Sequence, residues 1–83
     1  MEDIYKGIKE IIYQMASEKN IAITDTSNLY KVGIMDSLNI IVLLSQLQSE
    51  LSVNILEESL IPENFESVNS ICNMVLAAIS KTP

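Results

Sequence analysis

The strongest structural signal in this chain is the stretch Gly33-Ile34-Met35-Asp36-Ser37-Leu38-Asn39-Ile40-Ile41-Val42-Leu43-Leu44. It passes from a turn-forming glycine into an aliphatic run with no Gly or Pro before Leu51. Asp36 is a good N-cap, because its carboxylate can accept a free backbone N–H and suits the positive end of a helix dipole. The stretch predicts a helix that begins at Asp36-Ser37 and ends near Leu51.

This predicted helix is apolar on two sides. At about 100° per residue, a core-facing stripe lies within about 60° of Ile40, and Leu38, Ile41 and Val42 lie on the other side. A helix of this kind is either buried all round or presents a surface to a partner. Either the long segment before the helix covers part of this second side, or Leu38, Ile41 and Val42 form an apolar docking patch beside Ser37.

Upstream, the sequence predicts one long helix and a long connection. The apolar residues of the first segment recur at helical spacings and share one face: Ile4, Ile8, Ile11, Ile12 and Met15. The pattern ends near Asn20, and residues 20–36 are rich in turn formers without a sustained period. We expect this connection to lie across the domain, pinned by its scattered apolar side chains.

Downstream, the sequence predicts a short irregular segment and a last helix. Val53, Ile55 and Leu56 are expected to cap the bundle, one or two helical turns are expected around Pro62, and Ser67 is expected to be the N-cap of the last helix. No strand-length alternation occurs. The predicted fold is all-α, a small antiparallel bundle of three main helices plus a short helix between the second and the last, in a single domain over residues 1–83.

Composition excludes several functions for these 83 residues. There is no histidine, which excludes an imidazole base, and no glycine-rich phosphate loop or paired acid-base set, so an enzyme is the least favoured class. The net charge is −6, and no basic residue occurs between Asp36 and Lys81. This charge argues against binding to nucleic acid or anionic lipid and favours basic protein partners. The acidity is equally consistent with a role only in solubility. The one cysteine, Cys72, lies on an apolar stripe and is expected to be a core thiol. An acidic start and short apolar runs predict a cytoplasmic chain that does not enter membranes.

Ser37 carries the functional signal. A hydroxyl in the first turn of a helix lies near free backbone N–H groups, and a phosphate on that oxygen is favoured by the helix dipole. Because a loop precedes it, we expect the side chain to be exposed. Taken alone, however, Asp-Ser before a helix is also explained by capping.

The surrounding residues resemble a known family. Asp36-Ser37-Leu38 before a leucine-rich helix is similar to the attachment motif of acyl carrier proteins and peptidyl carrier domains. Leu51-Ser52-Val53-Asn54-Ile55 resembles the family's segment that closes its second helix. The residues from Leu60 to Val68 are similar to the segment before its last helix, especially in discrete carriers such as D-alanyl carrier proteins. The predicted order of helices is also that of the family.

The resemblance implies a carrier that catalyses nothing itself. A phosphopantetheinyl transferase would attach 4′-phosphopantetheine to Ser37, with coenzyme A and magnesium, and the arm would hold an acyl or aminoacyl group as a thioester. Asp36 would lie beside the phosphate and help orient the metal in the transferase complex. Met35 and Leu38, with Ile41 and Val42, would contact partner enzymes. An adenylating ligase and a downstream acyl-accepting enzyme complete the implied partners of a monomeric carrier.

The chain departs from the family at the second helix. Many fatty-acid carriers have acidic residues there, whereas no charge occurs here from Ser37 to Ser49. This favours a specialised biosynthetic carrier with apolar docking and acids such as Glu50, Glu57 and Glu58 on the rim. Two alternatives stay open, namely a helical adaptor in which Ser37 is only a cap and a carrier fold that has lost its cofactor.

Overall fold

Three α-helices form the body of the protein. The structure, a computed structural model, describes residues 2–80, and no strand occurs in this range. The elements are α1 (Glu2–Glu18), α2 (Ser37–Leu51) and α3 (Val68–Ser80), with 3-10 turns at Glu57–Ser59 and Pro62–Phe65 between α2 and α3. The all-α prediction is confirmed, and the predicted short helix is present as these two turns. None of the helices described is long and apolar enough to cross a bilayer.

Helix α1 packs against both α2 and α3. Its predicted apolar face is confirmed, since Ile8 and Ile12 are completely buried. Gly7 lets the end of α2 approach closely, because a Cβ atom at Gly7 would lie 2.8 Å from the Leu51 Cδ2. The fully buried residues come from all parts of the fold: Ile8, Ile12, Leu29, Ile34, Leu43, Leu47, Phe65, Val68, Ile71, Cys72 and Val75. The connection before α2, α2 itself and the segment that leads into α3 therefore all pack on one continuous core.

Helix α2 ends in a left-handed turn at Ser52. The Ser52 backbone has φ 56°, and its N–H donates to the Gln48 carbonyl at 3.1 Å. The Val53 N–H donates to the Leu47 carbonyl at 3.1 Å, and the Val53 side chain is buried. These bonds satisfy carbonyls that the helix end leaves free. Leu56 was expected to cap the bundle with Val53, but it is 51% exposed, so that part of the prediction is wrong.

The backbone of Leu29 anchors the connection between α1 and α2. The N–H groups of Ile34 and Met35 both donate to the Leu29 carbonyl at 3.0 Å, and the Leu29 N–H donates to the Glu66 carbonyl at 2.7 Å. Leu29 and Ile34 are buried, as predicted, whereas Val32 is exposed and does not pin the connection. The connection thus holds the residue before α2 against both the core and the segment that leads into α3.

Asp25 fastens the same connection to α1. Its carboxylate accepts hydrogen bonds from the Lys9 ammonium at 2.7 Å and from the Tyr13 hydroxyl at 2.6 Å. The Asp25 carbonyl accepts from the Asn69 N–H at 3.1 Å, at the start of α3. The Lys9 ammonium, and after it the Tyr13 hydroxyl, hold the pKa of Asp25 below its usual range. The folded state therefore favours the ionised carboxylate.

Asp25→Asn is expected to lower the free energy of unfolding at pH 7. A carboxylate whose pKa is depressed by folding contributes stability above its unfolded pKa of about 3.9. That contribution is lost as the pH falls through the lower folded pKa, so the variant and the wild type should converge in acid. Urea unfolding at pH 7 and pH 3 measures the difference. Glu10→Gln is the control, because Glu10 and Lys6 form only a highly exposed pair at 4.0 Å. Equal losses in both variants would contradict the role of Asp25.

Gly33→Ala is expected to destabilise the protein by about 1 kcal/mol or more, because Gly33 has φ 86° and a side chain disfavours the left-handed region. A Cβ atom at Gly33 would meet no other part of the protein within 4 Å, so the cost comes from the backbone and not from a clash. Gly33→Asn should recover part of the loss, since Asn tolerates this region better. Unfolding in urea measures both variants, and a neutral Gly33→Ala would show that Gly33 is not held in this conformation.

Candidate functional site

Asp36 starts α2 and caps it. Its backbone is extended, and its Oδ1 accepts a hydrogen bond from the Asn39 N–H at 2.8 Å. The Asn39 side-chain amide in turn donates to the Ile34 carbonyl at 2.7 Å. The predicted N-cap is confirmed, and the two bonds clamp the chain on both sides of Ser37.

Ser37 is the first residue of α2, and its side chain is exposed. Within residues 2–80, no hydrogen bond engages its hydroxyl. Because Asp36 supplies the cap, the structure gives Ser37 no capping hydrogen bond. The oxygen is therefore presented to solvent at the positive end of a helix, where an attached phosphate is favoured by the dipole.

The charged residue next to Ser37 along the chain is the carboxylate Asp36. The sequence contains no histidine, and the neighbouring Asp36 carboxylate already accepts a hydrogen bond from backbone. In the part of the chain that the structure describes, no group of acidic or cysteine side chains is arranged to hold a metal.

The outer side of α2 is open to solvent beside Ser37. Leu38 is 69% exposed, Ile41 is 63% exposed and Val42 is 38% exposed. The preceding segment therefore leaves most of Leu38 and Ile41 uncovered. On the opposite side, Leu43 and Leu47 are buried, as the core-facing stripe predicted.

Met35 requires a correction. It was expected to contact partner enzymes because it lies two residues before Ser37, but it is only 3% exposed. Its N–H is held by the Leu29 carbonyl, and its side chain belongs to the core cluster. Met35 supports the loop from within, and the exposed apolar side chains beside Ser37 belong to α2.

A groove of 390 Å³ opens next to Ser37, and the sequence interpretation did not find it. Its walls bring together three separated segments: Tyr30, Met35, Asp36, Ser37, Ile40, Leu60, Ile61, Pro62 and Phe65. The Tyr30 hydroxyl donates to the Pro62 carbonyl at 2.9 Å and closes one side. The sequence does contain one sign of this groove, the apolar run Leu60-Ile61-Pro62, which lies between acidic residues.

Cys72 is buried on α3, as predicted. Burial raises the pKa of its thiol above the usual range. A protonated thiol in the core is a poor nucleophile, so Cys72 is a packing residue and takes no part in the site.

Comparison with known proteins agrees with this geometry. The phosphopantetheine attachment site family matches residues 6–75, a span that contains α2 and most of α1 and α3. No curated protein and no solved structure matches the chain. The match covers most of the chain, and the exposed serine at a helix start suits a covalent phosphate ester. The chain therefore belongs to the phosphopantetheine attachment family, whose carrier domains hold 4′-phosphopantetheine covalently on a serine.

Proposed function

We propose that Ser37 is the attachment residue and that the protein carries an acyl or aminoacyl group as a thioester between enzymes. The observation that supports this most directly is the exposed Ser37 hydroxyl, which makes no hydrogen bond within residues 2–80 although both flanking segments are held. A rigid frame around a free oxygen suits modification by a second protein. When bound, the cofactor supplies a thiol on a flexible arm.

The attachment step uses the chain only as an acceptor. The Ser37 Oγ forms a bond to the phosphorus atom of coenzyme A that carries the pantetheine arm. The bond between that phosphorus and the oxygen of the neighbouring nucleotide phosphate breaks. The nucleotide leaves with this phosphate, and the Ser37 hydroxyl proton passes to a base of the phosphopantetheinyl transferase. In this proposal Asp36, which is exposed next to Ser37, helps orient the transferase's magnesium ion. In our proposal the transferase catalyses the reaction, and this chain holds the acceptor oxygen in position.

The same surface serves the later partners in this proposal. Leu38, Ile41 and Val42 are exposed beside Ser37, and no charged residue lies on α2 from Ser37 to Ser49. Apolar contacts supply affinity, while acids elsewhere speed encounter with a basic enzyme. Such a surface suits a dedicated adenylating ligase and a downstream acyl-accepting enzyme in a specialised biosynthetic pathway. A monomeric, cytoplasmic state remains a prediction of the sequence.

The capping geometry argues against an adaptor in which Ser37 is only a cap. The capping bond to the Asn39 N–H comes from Asp36, and Ser37 is the first helical residue. The Ser37 side chain therefore adds no capping hydrogen bond to the stability of α2. The exposed apolar side of α2 fits an adaptor equally well, so the fate of Ser37 separates the two functions.

Wild-type protein incubated with coenzyme A, magnesium and a broad-specificity phosphopantetheinyl transferase is expected to gain the mass of one phosphopantetheinyl group. Ser37→Ala should gain none, because the acceptor oxygen is absent. Intact-mass spectrometry measures both. Ser45→Ala is the matched control, since Ser45 is also an exposed serine of α2, and it should be modified fully.

The stability of Ser37→Ala should change by less than about 0.5 kcal/mol, because the Asp36 cap is retained. Unmodified wild type with several transferases, or equal modification of Ser37→Ala, would refute the assignment. Partner binding that Ser37→Ala retains, together with a wild type that is never modified, would instead support an adaptor.

Ile41→Gln is expected to raise the KM of the transferase for this carrier about fivefold, which corresponds to about 1 kcal/mol. The substitution removes an exposed apolar contact next to the acceptor and leaves the core unchanged. Initial rates of mass gain at several carrier concentrations measure the effect. Val32→Gln, an exposed valine outside α2, is the control. An unchanged KM in Ile41→Gln would remove Ile41 from the docking surface.

A further inference from the structure

An open concave face lies on α1, beside the stripe that packs in the core. It has a volume of 570 Å³ and is lined by Tyr5, Lys6, Lys9, Glu10 and Tyr13. Tyr5, Lys9 and Tyr13 are four residues apart, so they form one ridge along the helix. Tyrosine rings on a helix ridge are a feature that packs well against a second helix.

The charges on this face of α1 cancel. The Lys9 ammonium is bonded to the Asp25 carboxylate at 2.7 Å and lies 4.8 Å from the centre of the Tyr5 ring. Lys6 and Glu10 form an exposed pair at 4.0 Å. The two lysines and two acids sum to zero, whereas the whole chain carries a net charge of −6. Two copies that approach through this face therefore avoid the repulsion between their acidic surfaces.

The ridge reads the same in both directions about Lys9, because Tyr5 lies four residues before it and Tyr13 four residues after it. In an antiparallel contact with a twofold axis at Lys9, Tyr5 of one copy faces Tyr13 of the other. At 1.5 Å per residue, Lys6 then lies about 3 Å along the helix axis from Glu10 of the second copy and about 9 Å from its Lys6. The ridge is therefore complementary to itself in both rings and charges.

We propose that this face of α1 joins two copies of the protein in an antiparallel, twofold-symmetric contact. The inference goes beyond the proposed function and does not rest on it. The four tyrosine rings of the contact bury at most about 1,000 Å², which is less than the roughly 1,200 Å² of specific, stable interfaces. The association is therefore reversible, and the monomer expected from the sequence is the form present at low concentration.

Association through α1 leaves the start of α2 free. Gly7 of α1 lies against Leu51, the last residue of α2, since a Cβ atom at Gly7 would be 2.8 Å from the Leu51 Cδ2. Ser37 is at the other end of α2, about 21 Å away along that helix. Both copies therefore keep the Ser37 hydroxyl accessible to another protein.

The test is sedimentation velocity of the full chain at increasing protein concentration. The weight-average mass of the wild type should rise towards that of a dimer. Tyr13→Ser should raise the Kd of association at least about tenfold, because it removes an aromatic contact at each end of the interface. Tyr13→Phe is the matched control, since it also loses the hydrogen bond to Asp25 but keeps the ring, and it should associate like the wild type. Urea unfolding confirms that both variants fold.

Lys6→Glu and Glu10→Lys should each weaken association, because each substitution places like charges across the twofold axis. An equimolar mixture of these two variants should associate again, since the side chains at positions 6 and 10 of one copy then face the opposite charge on the other. The mixture restores no Lys6–Glu10 pair within either chain. Its recovery therefore reports a contact between copies and not a change in stability.

A wild type that stays monomeric at every concentration would overturn the proposal. Association that persists unchanged in Tyr13→Ser would also overturn it. Loss of association in Ile41→Gln, with Tyr13→Ser unaffected, would place the contact on the exposed side of α2 instead. A mixture of Lys6→Glu and Glu10→Lys that associates no better than either variant alone would contradict the antiparallel arrangement about Lys9.

Discussion

Much of the site depends on the backbone of one buried residue, Leu29. Its carbonyl accepts two N–H groups from the end of the connection, and its N–H reaches the Glu66 carbonyl ahead of α3. These three bonds tie the connection to two distant parts of the chain. They hold in place the residues that lead into α2, the helix in which Ser37 is the first residue.

Around this anchor, the side chains that pack in the core and the apolar side chains that remain exposed lie on opposite sides of the same elements. The inner side of α2 packs Leu43 and Leu47 completely, while its outer side leaves Leu38 and Ile41 mostly in solvent. The groove repeats this arrangement, with buried Phe65 below and exposed aliphatic residues at the rim. In a chain of 83 residues, apolar area kept outside the core does not contribute to folding. The proposed function gives that area a use in recognition.

Local signals made most of the fold predictable. The helix start at Asp36 follows from its own side chain, and the buried faces of α1 and α2 follow from spacing. Met35 was misassigned because its orientation depends on a contact with Leu29, which neighbouring residues do not reveal. Leu56 was misassigned because the left-handed turn at Ser52 redirects the chain after α2. The groove was missed for a related reason, since it exists only where Tyr30, the start of α2 and the segment around Ile61 meet. Hydrophobic periodicity describes one element at a time and does not show which elements become neighbours.

The burial of Cys72 has a practical consequence for any loaded form of the chain. Its sulfur is sealed among core side chains and favours the protonated state, so under the proposed function it offers no competing acceptor to which a thioester could migrate. A thiol-directed dye applied to the folded protein would then report the free end of the prosthetic arm against a silent background. Occupancy of the arm becomes readable by simple titration, without replacing the cysteine.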